Sequence, residues 1–434
     1  MTGGLLQLSA YGAQDIYLSG NPQITFFLGV YRRYTNFSIQ SIPQYFNGNA
    51  DFGQKVYCQV DRIGDLMNQV FLRVKLPSLV QYNYTDNDGN IVEYYWVNSV
   101  GHALIKIIEI EIGGVVIDRQ YGLWMQIWSD LTVPVGKRNG FNEMIGKSDD
   151  TINLNNNGEL NLYIPLYFWF CRNIGLSLPL IAIQNQEVRF NITFRKYEEL
   201  IISSNGIQIN ADKCPIQITQ TYLDIDYIFL EDEERKIFAK NNHQYLIEQL
   251  QVYATSLTSN GLRQNPTNPT QLDRIPDLTQ NITLNFNHPV KELFWIIQNT
   301  TVLSIYPYGG NEWFNFSTEP YKNGKMNSTD PMTKAKILFE GQELFDTKDA
   351  IYFRRVIPYQ RHTNIPDNFI YVYSFSLNPE DFQPSGSCNF SRIDNQQLYF
   401  EISDKLIQPI ITVFAVNYNI LNIAGGMCGV EYVN

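Results

Sequence analysis

The residues of this chain that could do chemistry are few, and their spacing works against it. The stretch GFNEMIGKS (140–148) resembles a phosphate loop, a turn whose backbone amides converge on phosphate oxygens. Five residues separate Gly140 from Gly146, one too many for that loop, and no apolar strand runs directly into it. The four histidines, His102, His243, His288 and His362, lie far apart, so no local pair can start a metal site, although a histidine can still meet a distant glutamate in space. The acidic run Glu231, Asp232, Glu233 and Glu234 reads as the start of a solvated helix, because sequence neighbours on a helix do not converge on one point. There is no G-x-S-x-G, and no cysteine stands beside a histidine in a catalytic signature. The five cysteines, Cys58, Cys171, Cys214, Cys388 and Cys428, are odd in number, scattered and free of CxxC pairs. They read as free buried thiols in a reducing compartment rather than a disulfide framework or a zinc site. No catalytic residue, cofactor or metal is expected.

Eight Asn-x-Ser/Thr sequons occur, at Asn36, Asn83, Asn191, Asn281, Asn299, Asn315, Asn327 and Asn389. Asn83, Asn315 and Asn327 fall in predicted loops and are the candidates for glycosylation. No basic n-region and apolar h-region open the chain, glycine is at position 3 rather than 2, and runs such as YIPLYFWF (163–170) are too short to span a bilayer.

The elements that would position any site are strands. In KIIEIEI, Ile108, Ile110 and Ile112 face one way and Glu109 and Glu111 the other. QVFLRVKL and NITLNF alternate likewise, with Arg73 and Lys75 opposing Val70, Leu72, Val74 and Leu76. One helix stands out, from the i, i+3, i+4, i+7 stripe Tyr121, Trp124, Met125 and Trp128, which reads as facing a core. Five segments, 77–100, 131–160, 196–216, 257–279 and 299–333, read as long surface loops.

The chain also repeats itself. TYLDIDYIFL (221–230) matches TVFAVNYNIL (412–421), VRFNI (188–192) matches LYFEI (398–402), and IEIGG (110–114) matches ILFEG (337–341). VDRIGDLMNQVFLRV, near the start of the first half, loosely parallels LNFNHPVKELFWII in the second. Four matches in one order predict a duplicated unit. The fold class expected is all-β: two tandem eight-stranded antiparallel jelly rolls with a few short helices and long loops. The boundaries expected are an N-terminal arm over 1–24, jelly roll 1 over 25–230, a linker helix over 231–244 and jelly roll 2 over 245–434.

Charge and composition narrow the partners. The net charge is −11, and Arg32-Arg33 is the nearest thing to a basic stripe, so direct nucleic-acid binding is not expected. Charged residues make up only 17% of the chain while aromatics make up 14%, a surface better suited to burial against neighbours than to permanent exposure. Two other classes fit duplicated sandwiches. A lectin would stack sugars on loop aromatics such as Trp313 or Tyr321, and a jelly-roll enzyme would hold a metal.

The opening run decides among them by resemblance. Residues 3–37, reading GGL-QL-AYGAQD-YL-GNPQITFF---YRR-TNF, closely resemble the N-terminus of the double jelly-roll major capsid proteins of nucleocytoplasmic large DNA viruses, the group with the chlorella viruses and iridoviruses. Further likeness appears at GLSLPLIAIQNQEV (175–188), DYIFLEDEER (226–235), YLIEQLQ (245–251), LNFNHPVK (284–291) and PSGSCNFSRIDN (384–395), and least over 299–333. The resemblance implies a structural, non-enzymatic subunit of a virion shell, assembled in the host cytoplasm. It implies a homotrimer of near-hexagonal outline that contacts neighbouring capsomers, with minor capsid and penton proteins as further partners and an inner membrane beneath the shell. It places the N-terminal segment at the capsomer base, with Tyr11, Gln14, Asp15 and Tyr17 as candidate contacts.

Overall fold

A computed structural model describes residues 2–85, 89–148, 158–204, 216–257, 259–264, 272–303, 311–319 and 329–433. Residues 1–36 form one compact unit and 37–434 a second. In the first, short helices Gly3–Ser9 and Ile16–Ser19 punctuate an extended chain, and no described residue is buried.

The second unit carries the strands. The first half supplies β1 (Phe37–Gln44), β2 (Lys55–Gln59), β3 (Leu66–Leu76), β4 (Ile105–Ile112), β5 (Val115–Gln120), β6 (Leu160–Pro165), β7 (Val188–Phe194) and β8 (Gln220–Leu230). The second half supplies β9 (His243–Ser256), β10 (Thr279–Leu284), β11 (Pro289–Gln298), β12 (Met332–Phe339), β13 (Gln342–Glu343), β14 (Tyr371–Ser374), β15 (Gln396–Ile402) and β16 (Ile410–Ala424). The first half pairs them as β1-β8-β3-β6 and β2-β7-β4-β5, and the second as β9-β16-β11-β14 and β10-β15-β12-β13. The orders are identical once eight is added to each number, and all the pairings are antiparallel. Each half is a jelly roll. Short strands such as Met427–Val430 beside β16 and Lys348–Asp349 beside β12 add to the second. The four sequence matches fall on equivalent strands: β8 with β16, β7 with β15, β4 with β12, and β3 with β11.

Alternation sets the register. In β3, Val70, Leu72, Val74 and Leu76 are buried while Arg73 and Lys75 are half-buried on the other face. A one-residue slip would drive both cations into the core, so the register is strongly held. Glu109, expected toward water, is instead buried and pairs with Arg119 across the β4–β5 hairpin at 2.5 Å. That hairpin turns on Gly113-Gly114, both at positive φ, and its copy turns on Glu340-Gly341 in the same conformation. Glu340 bears a left-handed backbone there, and its carboxylate accepts from the amides of Asp394 and Asn395 at 2.7 and 3.0 Å, which offsets the strain.

Three predicted loops hold more structure than their composition indicated. Residues 77–100 contain strand Tyr94–Trp96, with Trp96 fully buried, and 131–160 contain the helix Val135–Ile145. Residues 311–319 are mostly buried rather than superficial: Asn311, Asn315, Phe316, Ser317 and Thr318 all lie inside. Their amides stand in for missing backbone partners, as when Asn311 Nδ2 donates to the carbonyls of Glu198 and Ile201 at 2.9 and 3.0 Å. The phosphate-loop lookalike is the end of Val135–Ile145. Gly146 caps it in the left-handed region, so carbonyls rather than amides converge there.

Candidate assembly surfaces

The tryptophan stripe forms helix α1 (Gly122–Thr132), and its two faces enter different cores. Met125 packs into the first roll, whereas Trp124, Ile127, Trp128 and Leu131 pack into the second. Trp124 lies 5.1 Å from the ring of Phe294 and 5.6 Å from that of Phe414. These two are register partners on β11 and β16. The neighbouring Trp295 donates Nε1–H toward Met332 Sδ on the facing sheet, so Phe294 and Phe414 look outward from the second roll. The start of α1 fits because Gly122 has no side chain: a Cβ would meet the His102 carbonyl oxygen at 1.9 Å.

Polar contacts complete this seam. The Leu250 amide donates to Asp118 Oδ1 at 3.0 Å, and Gln249 Nε2 to the Ile117 carbonyl at 2.5 Å. Burial pushes the Asp118 carboxyl up to about 6, against the bonds from Leu250 and Gln120. Glu248 accepts Arg172 Nη1 from the first roll at 2.6 Å and the buried Lys291 Nζ from the second at 2.5 Å. The Arg172 guanidinium also lies over the Trp128 ring at 4.1 Å. Leu421, Ile423 and Cys428 from the second half pack into the first roll's core.

The histidines are scattered by fold as well as by sequence, but one found its distant glutamates. His362 Nε2 stands 3.1 Å from Glu292 Oε1 as an ion-pair contact without hydrogen-bond alignment, and Nδ1 stands 3.0 Å from Glu380 Oε1. Burial opposes charging of the imidazole, yet the two carboxylates outweigh it and raise His362 to about 9. Sequence reasoning missed this group. Its one local signal was Glu292 inside VKELFWII, a charge in a run apolar on both faces. His102 is the opposite case: burial lowers it to about 4, and its Nδ1 sits 2.9 Å from Gln126 Oε1. Among the described residues no group of three His, Cys, Asp or Glu could hold a metal ion, and no helix is long and apolar enough to cross a membrane.

The sequence-predicted surface residues fare unequally. Tyr11, Gln14 and Tyr17 are exposed and Asp15 half-buried, all within the arm. Asp15 Oδ2 accepts from the Gly12 amide at 2.7 Å and so shapes the turn between the two arm helices. Tyr17 and Phe27 are 91% and 97% exposed, and Leu8, Leu18, Phe26 and Val30 share that condition. Asn83 is half-buried, and its Oδ1 accepts from the Tyr94 amide at 3.1 Å. Asn315 is corrected as a glycan candidate. It is fully buried, its Nδ2 donates to Glu312 and Glu319, and its Oδ1 accepts from Ser317 twice, so the folded chain has no room for a sugar there. Asn327, Tyr321 and Cys214 lie outside the described residues. Trp313, the lectin candidate, gives one face to Arg195 at 3.7 Å and its Nε1–H to the Glu199 carbonyl at 2.8 Å. Cys58, Cys171, Cys388 and Cys428 are free thiols, and burial pushes Cys58, Cys171 and Cys428 up to about 12, leaving them unreactive near neutrality.

Two tandem rolls clamped by a shared helix and an apolar, exposed arm are features of a part that packs against others. Comparison with known proteins gives the kind of part. Residues 25–231 match the family model described as major capsid protein N-terminus, and 234–429 match the one described as large eukaryotic DNA virus major capsid protein. The chain belongs to the major capsid proteins of large eukaryotic DNA viruses. It is 38% identical to the major capsid protein of Pyramimonas orientalis virus and 36% identical to that of Phaeocystis pouchetii virus, each match covering all of both chains. A solved structure of the PBCV-1 virus capsid superposes with a TM-score of 0.75 at 31% identity, over 94% of this chain and all of the other. This major capsid protein is therefore a virion shell component that assembles with other capsid subunits. Its relatives and fold are those of structural proteins, not enzymes.

Proposed function

We propose that three copies of this chain close into a capsomer of near-hexagonal outline, six similar rolls around one axis, and that such capsomers tile an icosahedral shell. The supporting observation is the duplicated strand order within one chain. A chain with two like units, joined head to tail, needs only a threefold axis to imitate a sixfold ring. In this reading the chain divides into an arm over 1–24, rolls over 25–230 and 245–434, and a linker over 231–244. The linker contains helix Asp232–Lys240, whose acidic first turn favours its positive N-terminal end.

The exposed arm lies at the capsomer base, with Tyr11, Gln14, Asp15 and Tyr17 making contacts there. Its apolar side chains and scarcity of charge lower the desolvation cost of ordering against a neighbour. Neighbouring capsomers, minor capsid proteins and penton proteins are the protein partners, an inner membrane lies beneath, and nucleic acid is not touched directly. Assembly takes place in the host cytoplasm. Asn83 is the remaining described loop candidate for a glycan. Many modest contacts repeated by symmetry make the shell more persistent than any one interface. Mass photometry of the purified chain tests the core of this reading. A species of three chains at micromolar concentration is expected, and a monomer throughout would contradict it.

A further inference from the structure

The two rolls differ in how their outer faces are covered. In the second roll, β11 and β16 are buried on both sides, because α1 of the first roll lies on Phe294 and Phe414. In the first roll, the described residues of the same face of the same sheet are in part exposed. That face carries a ladder in register across β8, β3 and β6, with Tyr222 opposite Arg73 and Arg73 opposite Tyr163, and Tyr45, just past the end of β1, sets its ring beside Tyr222. The Arg73 guanidinium lies 3.7 Å from the Tyr163 ring centroid and 5.6 Å from that of Tyr222. Tyr45 is 65% exposed, and Phe37 and Ile39 on the same face of β1 are each 48% exposed. Aromatic and arginine side chains on a firm sheet are the composition of binding hot spots.

The complementary asymmetry lies in the helices. The segment that follows β13 in the second roll, a π-helical turn Tyr352–Val356 running into the α-helix Ile357–Arg361, holds the place that α1 holds after β5. It is anchored inward by Phe353 and Ile357, but its outer side presents Ile351, Val356 and Tyr359, 56%, 37% and 77% exposed. The corresponding outer side of α1 is buried in the next roll.

We propose that the covering contact made inside the chain is repeated between chains: Val356 and Tyr359 of one copy dock on the Tyr45–Tyr222–Arg73–Tyr163 ladder of the next. The occupant is a second copy of this chain, because the in-chain seam already shows this helix position seated on this sheet face. The contact is head to tail, so it closes a ring rather than a pair. The assignment rests on the trimeric reading above and names the surfaces that make it.

Two variants test it, V356D/Y359D on the helix and R73E on the ladder, with I237D on the exposed linker helix as a control for added charge. By mass photometry, each of the first two is expected to raise the dissociation constant of the trimer by about 30-fold or more, while I237D leaves it unchanged. Mixed together, the two defective chains retain one good helix and one good ladder between them. They are therefore expected to form a two-chain species that neither forms alone. Should either variant misfold, hydroxyl-radical footprinting of the natural chain decides, with Tyr45, Tyr163 and Tyr359 expected to become protected on assembly. A trimer that both variants keep at natural affinity, or no protection of these tyrosines, overturns the assignment and leaves the trimeric reading standing. A natural chain that never trimerises overturns both.

Discussion

Helix α1 and the helical segment Tyr352–Arg361 occupy equivalent places in two rolls of identical strand order, yet one is sunk in a neighbour and the other faces outward. Trp124, Ile127, Trp128 and Leu131 lie in the second roll's core, while Val356 and Tyr359 remain exposed. Duplicated units have duplicated needs, and the contact proposed between chains would meet the one that this chain leaves unmet. The same logic holds for sheet faces. Phe294 and Phe414 are covered from within, whereas Tyr45 and Tyr163, at either end of the Arg73 ladder, are exposed.

Trp124→Ala should strike this contrast hardest. It opens a cavity between the rolls and is expected to cost about 3–5 kcal/mol, with the two rolls separating into two calorimetric transitions. Tyr359→Ala, at the equivalent but exposed helix, should leave monomer stability within about 0.5 kcal/mol. Equal losses from the two changes would erase the distinction between a covered and an open helix.

A smaller effect is expected from pH. His362 is raised from 6.5 to about 9 despite its burial, because Glu292 and Glu380 face it from a core strand and a loop of the second roll. The folded state therefore favours its charged form. The contribution, on the order of 3 kcal/mol, is complete below about pH 6.5 and lost as pH rises through about 9. Denaturant midpoints measured from pH 6 to 10 should fall for the natural chain and fall far less for His362→Gln. Parallel curves would remove the histidine from the account.

Asp118 gives the smallest effect, at the seam itself. Its folded value near 6 lies above the ordinary 3.8, so the ionised form is the one the fold disfavours, and stability from this group declines as pH rises from about 4 to 6. Asp118→Asn keeps an acceptor for the Leu250 amide and is expected to be neutral or to stabilise by about 1 kcal/mol at pH 7.5. The gain should vanish near pH 4. Destabilisation at both values would mean that the charge itself holds the seam.

Much of the fold could be read before the structure. Alternation placed β3 and β10 with the correct faces inward, and the four matched segments proved to be equivalent strands. That reading works because a strand's burial period is local. It fails where partners come from afar. The stripe of Trp124, Met125 and Trp128 reads equally well against either core, and only the fold shows it divided between two. Asn311 and Asn315 read as surface because amides mark loops, but buried loops use the same amides to replace backbone partners. Glu292, His362 and Glu380 come from separate segments, so no spacing rule links them. The exposed helix and ladder were invisible for the same reason: nothing local distinguishes Tyr359 from a tyrosine that its own chain covers.

The most direct measurement is an electron cryomicroscopy reconstruction of the purified chain in solution. A threefold particle of hexagonal outline is expected, in which the 351–361 segment of each copy lies on the β1-β8-β3-β6 face of the next. A particle without threefold symmetry, or one whose chains meet with that face still bare, would contradict it.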